Sequence, residues 1–274
     1  MHFELSQQLQ GFLQSHLLWD DFNFGLQQFD FKSINNISYD TIHSIHVGDN
    51  EVLGKRVEHF FEYCIENSDI YTLLAKNLQV FKEKITIGEL DFIIKDLNKD
   101  TIIHVELIFK FYVYDHTISN ELERWIGPNR KDSLLQKIEK LKTKQLPLLY
   151  KEETFPILEH LNIDPKYIDQ KVCYMANLFV HLSLQNSSIP IVNTNCIIGF
   201  WIHKHEFHRE AYSSFVFCIP EKKYWLVNPN QCTTWFSFED IEEKIQSFLS
   251  KKRSPMVWIK RNEDQYERFF IVWW

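Results

Sequence analysis

The chain has 274 residues, 45% apolar and 24% charged, and its 37 acidic and 30 basic side chains give a net charge of −7. These values exclude a disordered chain, a collagen-like rod and a histone-like basic coat, so a polyanion partner would have to meet a local basic patch. Five cysteines (Cys64, Cys173, Cys196, Cys218, Cys232) without a CxxC pair suit neither a disulfide framework nor a zinc ribbon, and point to a reducing compartment. The opening MHFELSQQLQGFLQ has no basic n-region and no continuous apolar h-region. Nothing downstream approaches the roughly 18 apolar residues of a membrane span, so the expectation is a soluble cytoplasmic protein.

Residues 1–50 form a leading segment, with a short helical pattern at Leu9, Phe12 and Leu13 followed by a polar stretch without clean periodicity. From Leu53 the series Leu53, Val57, Phe60, Phe61, Cys64 is the stripe of an amphipathic helix that should end near Asn67. A second helical piece is expected around Leu73 to Leu78. Two strand-like runs, ITIGELDFII (85–94) and TIIHVELIFKFYVY (101–114), are joined by the turn-rich KDLNKD and predict a β-hairpin. After the turn residues Gly127, Pro128 and Asn129, Asp132 can cap a helix with the stripe Leu134, Ile138, Leu141. The plan of residues 51–165 is therefore α/β.

Beyond a linker near Pro156 to Pro165, residues 166–274 are tryptophan-rich and read as mainly β. Strands are expected at 195–202, 213–219, 223–228, 255–260 and 267–273, with a charged helix near 239–250. The ending RFFIVWW is too apolar to face water and should be tucked into a sheet or an interface.

On the second hairpin strand the odd positions, Ile103 to Val113, form an unbroken apolar face, while the even positions carry His104, Glu106 and Lys110. Antiparallel pairing can bring Asp91, on the preceding strand, beside Glu106. Two adjacent carboxylates repel unless a cation lies between them, and hard oxygen ligands suit Mg²⁺ or Mn²⁺. Such an ion polarises a phosphoryl oxygen and activates water, with a lysine stabilising negative charge, which is the chemistry of phosphodiester hydrolysis. An ordinary interstrand ion pair would use the same residue types.

These residues resemble the PD-(D/E)XK nuclease superfamily in its GxxD-then-E-then-K form. More closely, LGKRVEHFFEYCI, LLAKNLQVF, GELDFIIKD, HVELIFKFYVY, WIGPN and DSLLQKIEKLKTKQL resemble the bacterial family catalogued as domain of unknown function 1853, placed in that superfamily. The resemblance is dense over residues 53–146 and thinner afterwards. It implies a restriction-endonuclease-like core, a mixed sheet flanked by helices, with an added mainly β carboxy-terminal region. It implies catalytic roles for Asp91, Glu106, Lys110, Glu58 and Gln145, with Asp91 and Glu106 as ligands of Mg²⁺ or Mn²⁺. Two features depart from the superfamily: Ile108 stands at the usual lysine place, so Lys110 comes two residues later, and the proline–aspartate pair is absent.

Arg130, Lys131, Lys137, Lys140, Lys142 and Lys144 place six basic residues in fifteen beside these positions, a candidate phosphate-binding face for DNA or RNA and equally a solvated helix face. His203, His205 and His208 read as surface residues of a strand, and no metal is assigned to them. Two functions follow: a metal-dependent nuclease with a nucleic-acid substrate, or a catalytically weak or inactive nuclease-fold module that binds nucleic acid or protein. The first expects Asp91 and Glu106 roughly 3–6 Å apart, with Lys110 on the same side and Glu58 and Gln145 facing them.

Overall fold

The computed structural model describes residues 2–274 apart from 35–36, 40, 43–44, 188 and 190–191. The parts of the leading segment at 35–36, 40 and 43–44 therefore lie outside the described residues. Helix α1 (Leu5–Leu13) buries Leu9 and Phe12, and a small ribbon of β1 (Phe22–Asn23) and β2 (Leu26–Gln27) follows. Helix α2 spans Leu53–Glu66 and buries the expected stripe. Three long strands come next, β3 (Tyr71–Lys82), β4 (Ile85–Asp96) and β5 (Thr101–Tyr114), then the short β6 (Trp125–Ile126) and helix α3 (Leu134–Lys140). Helix α4 (Phe155–His160) precedes β7 (Ile168–His181) and β8 (Ile197–His203). Helix α5 (Arg209–Tyr212), β9 (Val216–Cys218), α6 (Phe238–Ser250), β10 (Met256–Lys260) and β11 (Tyr266–Val272) complete the chain.

The fold is mixed α/β. One nine-stranded sheet runs β3-β4-β5-β7-β8-β11-β10-β9, with β6 attached to β5. Its centre, β5, β7, β8 and β11, is parallel, and both flanks are antiparallel. The sheet thus crosses from the hairpin region into the tryptophan-rich region through the β5–β7 ladder, which pairs Ile102–Val113 with Ile168–Phe179. One face carries the largest apolar cluster, in which Phe60, Phe61 and Val57 of α2 meet Phe92, Ile94, Ile103 and Val105. The other face is covered by α3 over β5 and β7, and by α6 over β8, β10 and β11. The terminal Phe269 to Val272 is fully buried, as its apolarity predicts.

Three expectations fail for physical reasons. Leu73 to Leu78 lies inside β3 rather than a helix, because pairing with β4 overrides the helix-favouring Leu, Ala and Lys of that run. The run at 223–228 is a turn: Val227 N–H donates to Tyr224 O, and the apolar side chains pack from turns instead of a ladder. Asp132 does not cap α3; Ser133 does, accepting from Gln136 N–H at 3.2 Å. Strand β7 was not foreseen at all, although CYMANLFV is the near-continuous apolar run of a strand covered on both faces.

Candidate functional site

Strands β4 and β5 pair from Asp96↔Thr101 to Phe92↔Val105 and then part, while β4 stays paired to β3 and β5 to β7. Asp91 and Glu106 are the next residues on the two sides of this fork. The N–H of Leu107 donates to Asp91 Oδ2 at 2.9 Å, so a side chain takes over where the ladder stops.

Glu106 is fully buried. Its Oε1 lies 3.1 Å from His104 Nε2, and its Oε2 accepts a short hydrogen bond from Gln145 Nε2. The Gln170 amide donates to His104 Nδ1 at 3.1 Å and to Leu146 O at 2.7 Å, so Nδ1 is an acceptor and His104 offers its Nε2–H to Glu106. On the other side Lys137 Nζ donates to Gln145 Oε1 at 2.7 Å. A continuous chain of bonds therefore runs Gln170, His104, Glu106, Gln145, Lys137, as a buried carboxylate requires.

Local structure explains how Gln145 arrives there. Helix α3 opens at Leu141–Gln145 into a π-turn, in which Leu146 N–H reaches back to Leu141 O, and a 3₁₀ turn containing Pro147 follows. The widened turn re-aims the side chain; π-turns inside helices are a recurrent device at functional sites. The next segment sits tight on β4: a Cβ built on Gly88 would stand 2.5 Å from Leu148 Cδ2, so a larger residue there would make the buried Leu148 side chain shift.

Burial, followed by the negative charge of Glu106, drives the Asp91 carboxyl up to about 8; Glu58 adds to the rise, and the Leu107 N–H and Lys137 oppose it. Burial pushes Lys137 down to about 8, with Lys140 and Lys110 assisting and Glu106 and Asp91 opposing. Glu58, on α2, pairs with Lys55 at 2.5 Å. Burial works against the Lys55 charge, but Glu58, Glu89 and Asp91 outweigh it and its pKa is raised.

Of the expected residues, the structure thus gathers Asp91, Glu106 and Gln145, with Glu58 within electrostatic reach. Lys110 is engaged elsewhere, its Nζ 2.7 Å from Asp132 Oδ2. The lysine beside the carboxylates is Lys137, which the sequence marked only as a phosphate contact. The two missed members, His104 and Gln170, are polar residues on buried central strands, and that mismatch is the signal that could have found them.

The basic set does not form one face. Lys140, Lys142 and Lys144 are exposed, whereas Arg130 pairs with Asp115 at 2.6 Å and stacks on Trp274 at 3.9 Å, toward the opposite end of the sheet. A cleft of about 470 Å³ opens between the start of α2 and the 127–132 loop, lined by Phe109, Lys110, Lys131, Asp132, Lys222 and Trp225 among others. Burial and the nearby Lys110 lower the Lys222 pKa. Among the described residues no helix is long and apolar enough to cross a membrane.

One family profile, described as Domain of unknown function (DUF1853), matches residues 26–272. No curated protein and no solved structure matches the chain.

Proposed function

We propose that this chain, which belongs to the DUF1853 family, is a metal-dependent nuclease that hydrolyses phosphodiester bonds of DNA or RNA on a restriction-endonuclease-like, PD-(D/E)XK core. The observation that carries the reading is the fork between β4 and β5, where Asp91 and Glu106 stand at adjoining positions and repel one another electrostatically, with Gln145 bonded to Glu106 and Lys137 to Gln145. The donor set fits Mg²⁺ or Mn²⁺. Both acids offer hard oxygens, Asp91 Oδ1 accepts no hydrogen bond among the described residues, and the repulsion that helps raise Asp91 to about 8 is what a divalent cation relieves. Asp91 and Glu106 would hold the ion, which when bound supplies Lewis acidity and an activated water.

The chain's own residues supply the rest. His104 and Gln145 fix the Glu106 carboxylate in one orientation. Lys137, poised at about 8, puts a cation against charge developing on a phosphoryl group and can give up a proton near neutral pH. Glu58 adds negative charge on the α2 side. Lys110, Lys131 and Lys222 line the adjoining cleft, where they suit neighbouring backbone phosphates.

The second reading, a catalytically inactive binding module, is favoured by one observation: both oxygens of Glu106 already accept hydrogen bonds. Cleavage assays on single-stranded and duplex DNA and RNA in Mg²⁺ and in Mn²⁺ separate the two. The nuclease reading expects metal-dependent cleavage of at least one substrate, abolished by Asp91→Asn. Intact substrates throughout, with calorimetry showing the same Mn²⁺ response for wild type and Asp91→Asn, would refute it.

A further inference from the structure

The parallel strands β5, β7, β8 and β11 all end on the side of the sheet away from the fork. At about 3.3 Å per residue, the eight residues from Glu106 to Tyr114 separate the two places by about 26 Å along β5. The carboxyl ends of parallel strands are where open α/β sheets place their ligand sites. Here they gather His181, the last residue of β7, His203, the last of β8, and Glu206 in the turn that follows. Each offers a donor atom, and these atoms lie within 4.8 Å of one another, the one such group of three among the described residues.

We propose that His181, His203 and Glu206 bind a divalent transition-metal ion of the Zn²⁺ class. Two imidazoles and a carboxylate are a zinc-type donor set, and imidazole nitrogen selects against Mg²⁺ and Ca²⁺. An ion roughly 2.0–2.1 Å from each donor needs ligand atoms about 3.3 Å apart, so no pair of donor atoms has to close by more than about 1.5 Å. His181 Nε2 and Glu206 Oε2 already lie 3.1 Å apart.

All three donors are held by bonds from the surrounding chain. Glu206 Oε2 accepts the backbone N–H of His203 at 2.7 Å, which pins the carboxylate within its own turn. His203 Nδ1 lies 2.9 Å from the main-chain oxygen of Trp274, which can only accept, so Nδ1 carries a proton and Nε2 is the ring atom available to an ion. A ring N–H held by a carbonyl is the usual outer support of a metal-binding histidine. His181 Nε2 lies 3.1 Å from Glu206 Oε2, and its Nδ1 lies 2.8 Å from Ser183 Oγ, a hydroxyl able to accept the ring proton, so with the proton on Nδ1 the Nε2 lone pair is available to an ion. A bound cation takes the place of the hydrogen bond between Nε2 and Glu206, and the ring keeps its proton on Nδ1. The rings are braced as well: fully buried Trp201 meets His181 edge-on at 4.7 Å and His203 at 5.0 Å. Three protein ligands leave a further coordination position for water or a ligand, and the rings of His116 and His205 stand next to those of His181 and His203.

The test uses the full chain stripped with a chelator and titrated with Co²⁺, whose visible d–d bands report low-coordinate nitrogen and oxygen ligation. The proposal expects about one equivalent per chain, undiminished by excess Mg²⁺. Asp91→Asn should leave the bands intact, so failure of the nuclease reading would not register here. His203→Gln and Glu206→Gln should each weaken Co²⁺ binding by about 100-fold or more. His181→Gln provides a second imidazole deletion should His203→Gln fail to fold, as judged by near-ultraviolet circular dichroism. Absence of d–d bands in the wild type, or equal titrations for wild type and a folded histidine variant, overturns the site.

Discussion

Asp91→Asn should make the metal-free protein more stable, not less, and increasingly so with pH. Asparagine keeps an oxygen for the Leu107 N–H but cannot ionise. In the wild type the folded carboxyl titrates at about 8 against 3.8 for the unfolded chain. Between those values the native state holds a proton that the unfolded state has released, so wild-type stability falls as pH rises, by at most about 1.4 kcal/mol per pH unit. The limit at pH 7 is about 4 kcal/mol; relaxation and solvent access to this partly exposed side chain bring the expected gain to about 1–3 kcal/mol, or roughly 3–10 °C in Tm. Urea unfolding with chelator present, at several values between about pH 4.5 and 8.5, should show the two proteins converging at the acid end, separating with pH, and holding a constant difference above about pH 8. Saturating Mn²⁺ should then stabilise the wild type more than the variant. A variant less stable than wild type at pH 8, or a difference independent of pH, would show that Asp91 does not bear the strain assigned to it.

In cleavage assays Lys137→Met should lower the rate by about 10²-fold or more, the scale of losing one electrostatic stabiliser, while Lys110→Met, which breaks the pair with Asp132 and removes one proposed phosphate contact, should stay within about tenfold of wild type. The reverse order would return the catalytic role to the strand lysine. Mn²⁺ affinity measured by calorimetry should rise by about tenfold per pH unit up to about pH 8 and level off above it, because binding displaces the Asp91 proton; a flat profile refutes that coupling. Gly88→Ala should cost about 1–3 kcal/mol in chemical denaturation by driving Leu148 off β4, and an unchanged midpoint would show that the 3₁₀ segment is free to shift.

Much of the hairpin was legible because its chemistry is local. The alternation of Ile103 to Val113 against His104, Glu106 and Lys110 reveals the strand, its register and the side on which Asp91 and Glu106 meet. The lysine was not legible. Spacing along one strand favours Lys110, but whether Lys137 stands nearer the carboxylates depends on how α3 docks across the sheet and on the π-turn at its end, neither of which has a local signature. Strand β7 was invisible for the opposite reason: a central parallel strand is apolar on both faces, so it shows no alternation. Likewise His203 was placed on its strand, while its partners His181 and Glu206 lie on a strand that was not anticipated and in a turn whose shape tertiary contacts set.

The fork explains why a sheet of this size keeps a charge in its interior. A fully buried carboxylate costs several kcal/mol unless every lone pair is answered, and an apolar side chain at position 106 would pack against Ile108 and Val172 without that cost. Instead the chain commits His104, Gln170 and Gln145 to one carboxylate, opens a helix into a π-turn to deliver the last of them, and leaves the neighbouring Asp91 with a single N–H and a raised pKa. None of this strengthens the ladder, which ends at that point. Departures from local rules that are supported on one side and strained on the other are the mark of a site built to receive something. The strain falls on Asp91, whose second oxygen accepts no hydrogen bond among the described residues; in the proposed metal site the carboxylate held by His104 and Gln145 would orient the ion and its destabilised partner would supply the drive to bind it.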